Sequence, residues 1–248
     1  MRARNDLEIK NALPFFHSEN GDGNQLYYEE KGSGEPFIFL HGNGEDSSYF
    51  RAQIDYFSGS YRVIALDTRG HGRSPRGSAP FTIEQFACDL HDFMVEHRIS
   101  GAVILGFSDG ANIAMNFAMK HPGMVRALIL NGGNLDPSGV KRSTQLPIEV
   151  GYNIARRFAS RSAAARQNAE LLSLMVREPN LAPADLSGIT APTLVICGTR
   201  DMIKESHTKT IAQSIPHAKL VLLKGDHFLA HKRPAEFNQT VAAFLRGI

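Results

Sequence analysis

Short, almost unbroken apolar runs alternating with helix-periodic segments constrain this chain more than any other feature. The runs fall at 36–40, Tyr61–Leu66, 101–105, 125–130, 192–197 and 220–223, each bounded by turn residues. Strands that are apolar at nearly every position suit a parallel sheet covered on both faces, because an exposed face would demand alternation. Helical patterns lie between them. Ile83, Phe86, Ala87, Leu90, Phe93 and Met94 recur on one helical face, and Thr82 with Gln85 three residues on reads as a capping box. A last helix begins near Pro234, a residue suited to a first turn, and offers Phe237, Val241, Phe244 and Leu245 to a core. Residues 25–30 read as an early edge strand. Residues before about Asn20 carry no pattern and read as a loose extension.

The alternation breaks once. Between about Asn134 and Thr190 there is no strand signal, only helical stretches around 148–161 and 163–176. Helices inserted between strands of a parallel sheet form a natural lid. The chain therefore divides into an extension (1–24), a first core part (25–133), a lid (134–190) and a second core part (191–248). One α/β domain accommodates all 248 residues.

Composition excludes several function classes. A net charge of +2 argues against a dedicated nucleic-acid or membrane-surface partner. No apolar run approaches the roughly 20 residues of a bilayer span, and the basic N-terminus MRARNDLEIK lacks the apolar segment of a signal peptide. The expected location is the cytoplasm. Cys88 and Cys197 make neither a disulfide framework nor a zinc site and are expected as small buried apolar groups. Oligomeric state is not legible in the sequence.

One stretch carries chemistry. In ILGFSDG, residues 104–110, an apolar strand stops at Gly106, and a helical pattern begins after Gly110, with Ser108 between them. Glycines on either side permit a sharp strained turn and close approach of strand and helix. The turn displays the serine at the C-terminal end of a strand and at a helix N-terminus, where developing negative charge is favoured. A serine hydroxyl needs a base, and the base needs an orienting carboxylate. Asp201 follows the strand ending at Cys197, and His227 follows the strand ending at Leu223. The nine other histidines lack that position after a late strand or precede the fold. Asp136 and Asp226 are rival carboxylates, and Asp201 could instead cap the segment that follows it.

GFSDG matches the G-x-S-x-G nucleophile elbow, and from about Gln25 to its end the chain resembles the α/β-hydrolase family. The resemblance implies a mostly parallel sheet flanked by helices, with a small helical lid inserted after the strand ending near Asn131. It also implies a catalytic triad of Ser108, Asp201 and His227, with the G-x-x-D context favouring Asp201. The LHGNG turn, residues 40–44, resembles the family's oxyanion loop, which assigns the backbone N–H groups of Asn43 and Asp109 to the oxyanion hole. The segment 67–74, DTRGHGRS, resembles a family turn and reads as structural, held by local Asp–Arg hydrogen bonds. No metal and no organic cofactor is implied. Serine rather than aspartate at the elbow disfavours the related dehalogenases and epoxide hydrolases.

The implied activity is hydrolysis of a small-molecule ester or lactone through an acyl-enzyme on Ser108. The S-D-G context is similar to valacyclovir-hydrolase-like members, in which the aspartate is implicated in holding a substrate amino group. Asp109 is accordingly a candidate substrate-binding residue, with amino-acyl esters as the narrower option. The alternative is a ligand-binding or signalling protein that retains the same fold.

Overall fold

The computed structural model describes Phe15–His17 and residues 24–248. Eight strands form one sheet in the order β1-β2-β4-β3-β5-β6-β7-β8. They are β1 (Phe15–His17), β2 (Gln25–Lys31), β3 (Glu35–Leu40), β4 (Tyr61–Leu66), β5 (Ala102–Phe107), β6 (Val125–Asn131), β7 (Thr193–Gly198) and β8 (Ala218–Leu223). β1 and β2 join antiparallel, and every pair from β4 to β8 is parallel. The expected strands all form, most shifted by only a residue or two. β1 lies where the sequence carries no pattern: its three residues pair antiparallel with 25–27 of β2. The rest of the first 23 residues lies outside the described part of the chain.

Alternate strand residues feed two separate cores, which is why the runs are apolar throughout. Ile38, Leu40, Ile64, Leu66, Ile104 and Leu128 face one cluster. Phe37, Phe39, Val63, Leu105, Ile129 and Ile196 face the other. The first is covered by α2 (Ile83–Glu96), α3 (Asp109–Lys120) and α6 (Glu205–Ser214), the second by α1 (Arg51–Phe57) and α8 (Pro234–Leu245). Burying both faces at about 25 cal/mol per Å² of apolar surface is what favours this layering over an open sheet. α1 and the four-residue α7 (Leu229–Lys232) have no clear sequence signature, being too short for periodicity to register.

Between β6 and β7 lie α4 (Arg142–Phe158) and α5 (Ala163–Arg177), packed on each other. α4 starts six residues before the expected 148 and continues through Pro147. Pro147 sits past the first turn, where proline removes the backbone N–H bond to residue 143 and crowds its carbonyl. The early turns are fixed by a buried Gln145 donating to the Met175 carbonyl and by the Arg142–Glu149 ion pair.

Two local expectations are corrected, and a third is met in a particular way. Thr82 does cap α2, accepting from the Gln85 N–H at 3.1 Å, but the Gln85 side chain donates to Asp89 instead of closing the box. The expected local Asp–Arg hydrogen bond forms between the Asp67 carboxylate and the Arg73 backbone N–H, at 2.8 Å. Asp67 also accepts from the backbone N–H of Ser47, while Arg69 forms a fully buried two-pronged ion pair with Asp89 of α2. Cys88 is exposed and only Cys197 is buried, because position 88 falls on the solvent side of α2.

Candidate active site

The sheet order brings together loops that are far apart in sequence. Ser108 follows β5, the oxyanion-like loop follows neighbouring β3, and Asp201 and His227 follow β7 and β8 on the other side. All lie at the C-terminal ends of parallel strands, where such sheets open a crevice.

Ser108 adopts φ 53 and ψ −117, a conformation a non-glycine residue rarely takes and one that costs of order 1–3 kcal/mol. The neighbouring glycines make it possible. A Cβ on Gly106 would lie 2.2 Å from the Gly110 carbonyl oxygen, and a Cβ on Gly110 would lie 1.9 Å from the Leu40 carbonyl oxygen. Nothing larger than hydrogen fits at either position. The Ser108 N–H donates to the Asn131 carbonyl at 2.8 Å, tying the turn to β6.

Ser108 Oγ lies 3.0 Å from His227 Nε2, and His227 Nδ1 lies 2.7 Å from Asp201 Oδ1. A carboxylate facing Nδ1 assigns the proton to that nitrogen and leaves Nε2 free to accept from the serine. Asp201 is held in turn by the Ile203 N–H at 2.9 Å and the Gly198 N–H at 3.4 Å. Both partners are nearly water-free, His227 at 4% and Asp201 at 2% exposure. The His227 ring packs on Phe107, 4.8 Å between centroids.

The rival carboxylates are engaged elsewhere. Asp136 accepts from the Ser138 N–H at 2.7 Å, and Asp226 pairs with Lys232 and accepts from the Phe228 N–H. Nor does Asp201 cap α6, whose N-cap is Lys204 without a side-chain hydrogen bond.

Asp109 opens α3, so its N–H has no partner within the helix. Its carboxylate is buried and accepts from Asn43 Nδ2 at 3.0 Å and from Asn112 Nδ2 at 3.4 Å. Among the described residues no lysine or arginine pairs with it. Burial pushes the Asp109 carboxyl up to about 6, against the opposing pull of the Asn43 hydrogen bond.

Three features of the site have no sequence signature. The Asn43 side chain, besides holding Asp109, donates to the Leu171 carbonyl of α5 at 2.8 Å. Arg76 binds Glu170 of α5 through two 2.9 Å hydrogen bonds. Glu45 turns back to accept from the Gly42 N–H at 3.3 Å, and burial pushes its carboxyl up to about 7. The only available hint was the acidic residue closing HGNGE, which is indistinguishable from a surface turn residue.

The alpha/beta hydrolase fold family model matches residues 35–169, more than half of the chain. A putative carbamate hydrolase, RutD of Azorhizobium caulinodans, is 26% identical over 94% of this chain and 98% of its own length. The (E)-2-((N-methylformamido)methylene)succinate hydrolase of Acinetobacter baylyi is 27% identical, covering 88% and 93% of the two chains. Among solved structures, Est816, an N-acyl homoserine lactone degrading enzyme, superposes with a TM-score of 0.75 at 26% identity, covering 92% of this chain and all of the other. The parallel sheet, the strained turn after β5 and these relationships agree: the chain belongs to the alpha/beta hydrolase fold family and is a hydrolase.

Proposed function

We propose that the protein hydrolyses small carboxylic esters or lactones through an acyl-enzyme on Ser108. The observation that carries this reading is the continuous hydrogen-bonded line from Ser108 through His227 to Asp201, with the His227–Asp201 pair buried. In this mechanism His227 Nε2 takes the hydroxyl proton as Ser108 Oγ attacks the acyl carbon. Asp201 holds the imidazole in the competent tautomer and stabilises its cation. The backbone N–H groups of Asn43 and Asp109 receive the oxyanion. His227 then protonates the departing alcohol and activates the water that frees Ser108. The full-length relatives named for carbamate and N-formamido substrates support including C–N acyl compounds in the search.

Residues 134–190 act in this reading as a lid over the site. The bonds from Asn43 to Leu171 and from Arg76 to Glu170 support that role, since both join α5 to loops at the strand ends. A free, exposed thiol at Cys88 supports a reducing, cytoplasmic setting.

One observation favours a narrower substrate class. A buried carboxylate one residue from the nucleophile, with hydrogen bonds but, among the described residues, no cation, suits the ammonium of an amino-acyl ester. Such a substrate would bring Asp109 the cation that no described residue supplies.

The test is intact-mass measurement after mixing with an acyl nitrophenyl ester. An acyl adduct on the protein that disappears in Ser108→Ala, together with a loss of turnover on the order of 10⁴, is expected. Full turnover in Ser108→Ala would refute the assignment.

A further inference from the structure

The outer face of α4 is apolar where a solvated helix is polar. Leu146, Val150, Ile154 and Phe158 follow one another at four-residue steps and are 48%, 50%, 57% and 45% exposed. On a helix of 3.6 residues per turn such steps keep neighbouring side chains on one side. The opposite side, with buried Gln145 and Tyr152, is the one that packs inward. The stripe is therefore not a core face turned out by misplacement. It is a second apolar face that no described residue covers.

The charge around it is uneven. Residues 141–177 hold seven basic and two acidic side chains, although the whole chain carries only +2. Both acidic groups are already paired, Glu149 with Arg142 and Glu170 with Arg76. Arg157 and Arg161, both exposed, flank Phe158. The small net charge that spoke against a membrane partner averages over this local excess.

We propose that the outer face of α4 docks on an anionic lipid surface, with Val150, Ile154 and Phe158 entering the headgroup boundary and Arg157 and Arg161 meeting the lipid phosphates. Among the described residues no helix is long and apolar enough to cross a membrane, so the contact lies in the interface plane. A second copy of this chain fits less well. Four half-exposed apolar side chains offer on the order of 300–400 Å², against about 800 Å² per partner in a stable interface. Facing two such surfaces would also oppose two sets of arginines. Anionic headgroups meet both the apolar stripe and the charge.

The experiment is co-sedimentation of the full chain with vesicles of phosphatidylglycerol and phosphatidylcholine in equal parts, and of phosphatidylcholine alone. Binding to the anionic vesicles is expected, weakening at about 0.5 M salt. Ile154→Ser with Phe158→Ser should lower the partition at least about tenfold. Arg157→Ala with Arg161→Ala should lower it by about tenfold or more on anionic vesicles only. Turnover of a soluble ester by both double variants should match the parent, which confirms folding and separates this proposal from the assignment of Ser108. Absence of binding to anionic vesicles, or binding unchanged by either pair of substitutions, would overturn it. So would a concentration-dependent dimer in analytical ultracentrifugation that Ile154→Ser with Phe158→Ser dissolves.

Discussion

Asp109→Asn should make the protein more stable at alkaline pH, and the size of the effect follows from the site. The Asp109 carboxyl sits at about 6 in the folded chain because burial penalises its charge, whereas an unfolded aspartate titrates near 3.9. An acid whose folded pKa is raised contributes stability that is present at low pH and lost as pH rises through the folded value. Two pH units correspond to about 3 kcal/mol at pH 8. Asparagine keeps the size and can still accept from Asn43, but it loses the weak 3.4 Å bond from Asn112, worth about 1 kcal/mol. The net expectation is a gain of about 2 kcal/mol at pH 8, or roughly 4 to 8 °C in Tm for a chain of this length. Around pH 4, where the parent carboxyl is already protonated, the burial contribution is gone and the variant should be less stable by about 1 kcal/mol, the cost of the lost Asn112 bond. Thermal unfolding of both proteins across pH 4 to 8 measures the difference. A variant less stable at pH 8, or a difference that does not change with pH, would refute the argument from burial. The same variant should lose any preference for amino-acyl over plain acyl esters while keeping its backbone N–H.

The other predictions concern the remaining parts of the site. Asp201→Asn should lower turnover by about 10³ to 10⁴ because the amide favours the wrong imidazole tautomer, whereas Asp136→Asn, whose carboxylate only holds the Ser138 N–H, should cost less than about tenfold; parallel kinetics on one ester decide, and the reverse order would move the acid to the earlier loop. Combining Asp201→Asn with Ser108→Ala should be scarcely worse than Ser108→Ala alone, since members of one catalytic unit are not additive. Asn43→Ala deletes the side-chain bonds to Asp109 and Leu171 but not the backbone N–H; a stability loss of about 1.5–3 kcal/mol by urea titration is expected, with a raised KM. Gly110→Ala drives a Cβ to 1.9 Å from the Leu40 carbonyl oxygen, backbone that cannot yield cheaply, so little folded protein should accumulate on expression.

The order of elements and the strained turn could be read from residues alone because each has a local cause. A strand buried on both faces must be apolar at every position, so β3 to β7 announce themselves as unbroken runs. Gly106 and Gly110 are fixed by backbone approach within one strand–turn–helix unit, so their spacing with Ser108 is visible in seven letters. Which carboxylate meets His227 was different. Asp136, Asp201 and Asp226 each follow a strand, and only the adjacency of β7 and β8 brings Asp201, not its rivals, to 2.7 Å from the ring. The Asn43 side chain spanning Asp109 and α5, the buried Arg69–Asp89 pair and the return of Glu45 to the Gly42 N–H have the same character. Two of the three join elements distant in the chain, and none leaves a period or composition that a linear reading detects. Exposure of the α4 stripe was likewise decided by which helix face found a neighbour, a property of packing and not of the helix's own pattern, whereas Cys88 is exposed because the period of α2 puts it off the face of Ile83, Phe86, Ala87 and Leu90.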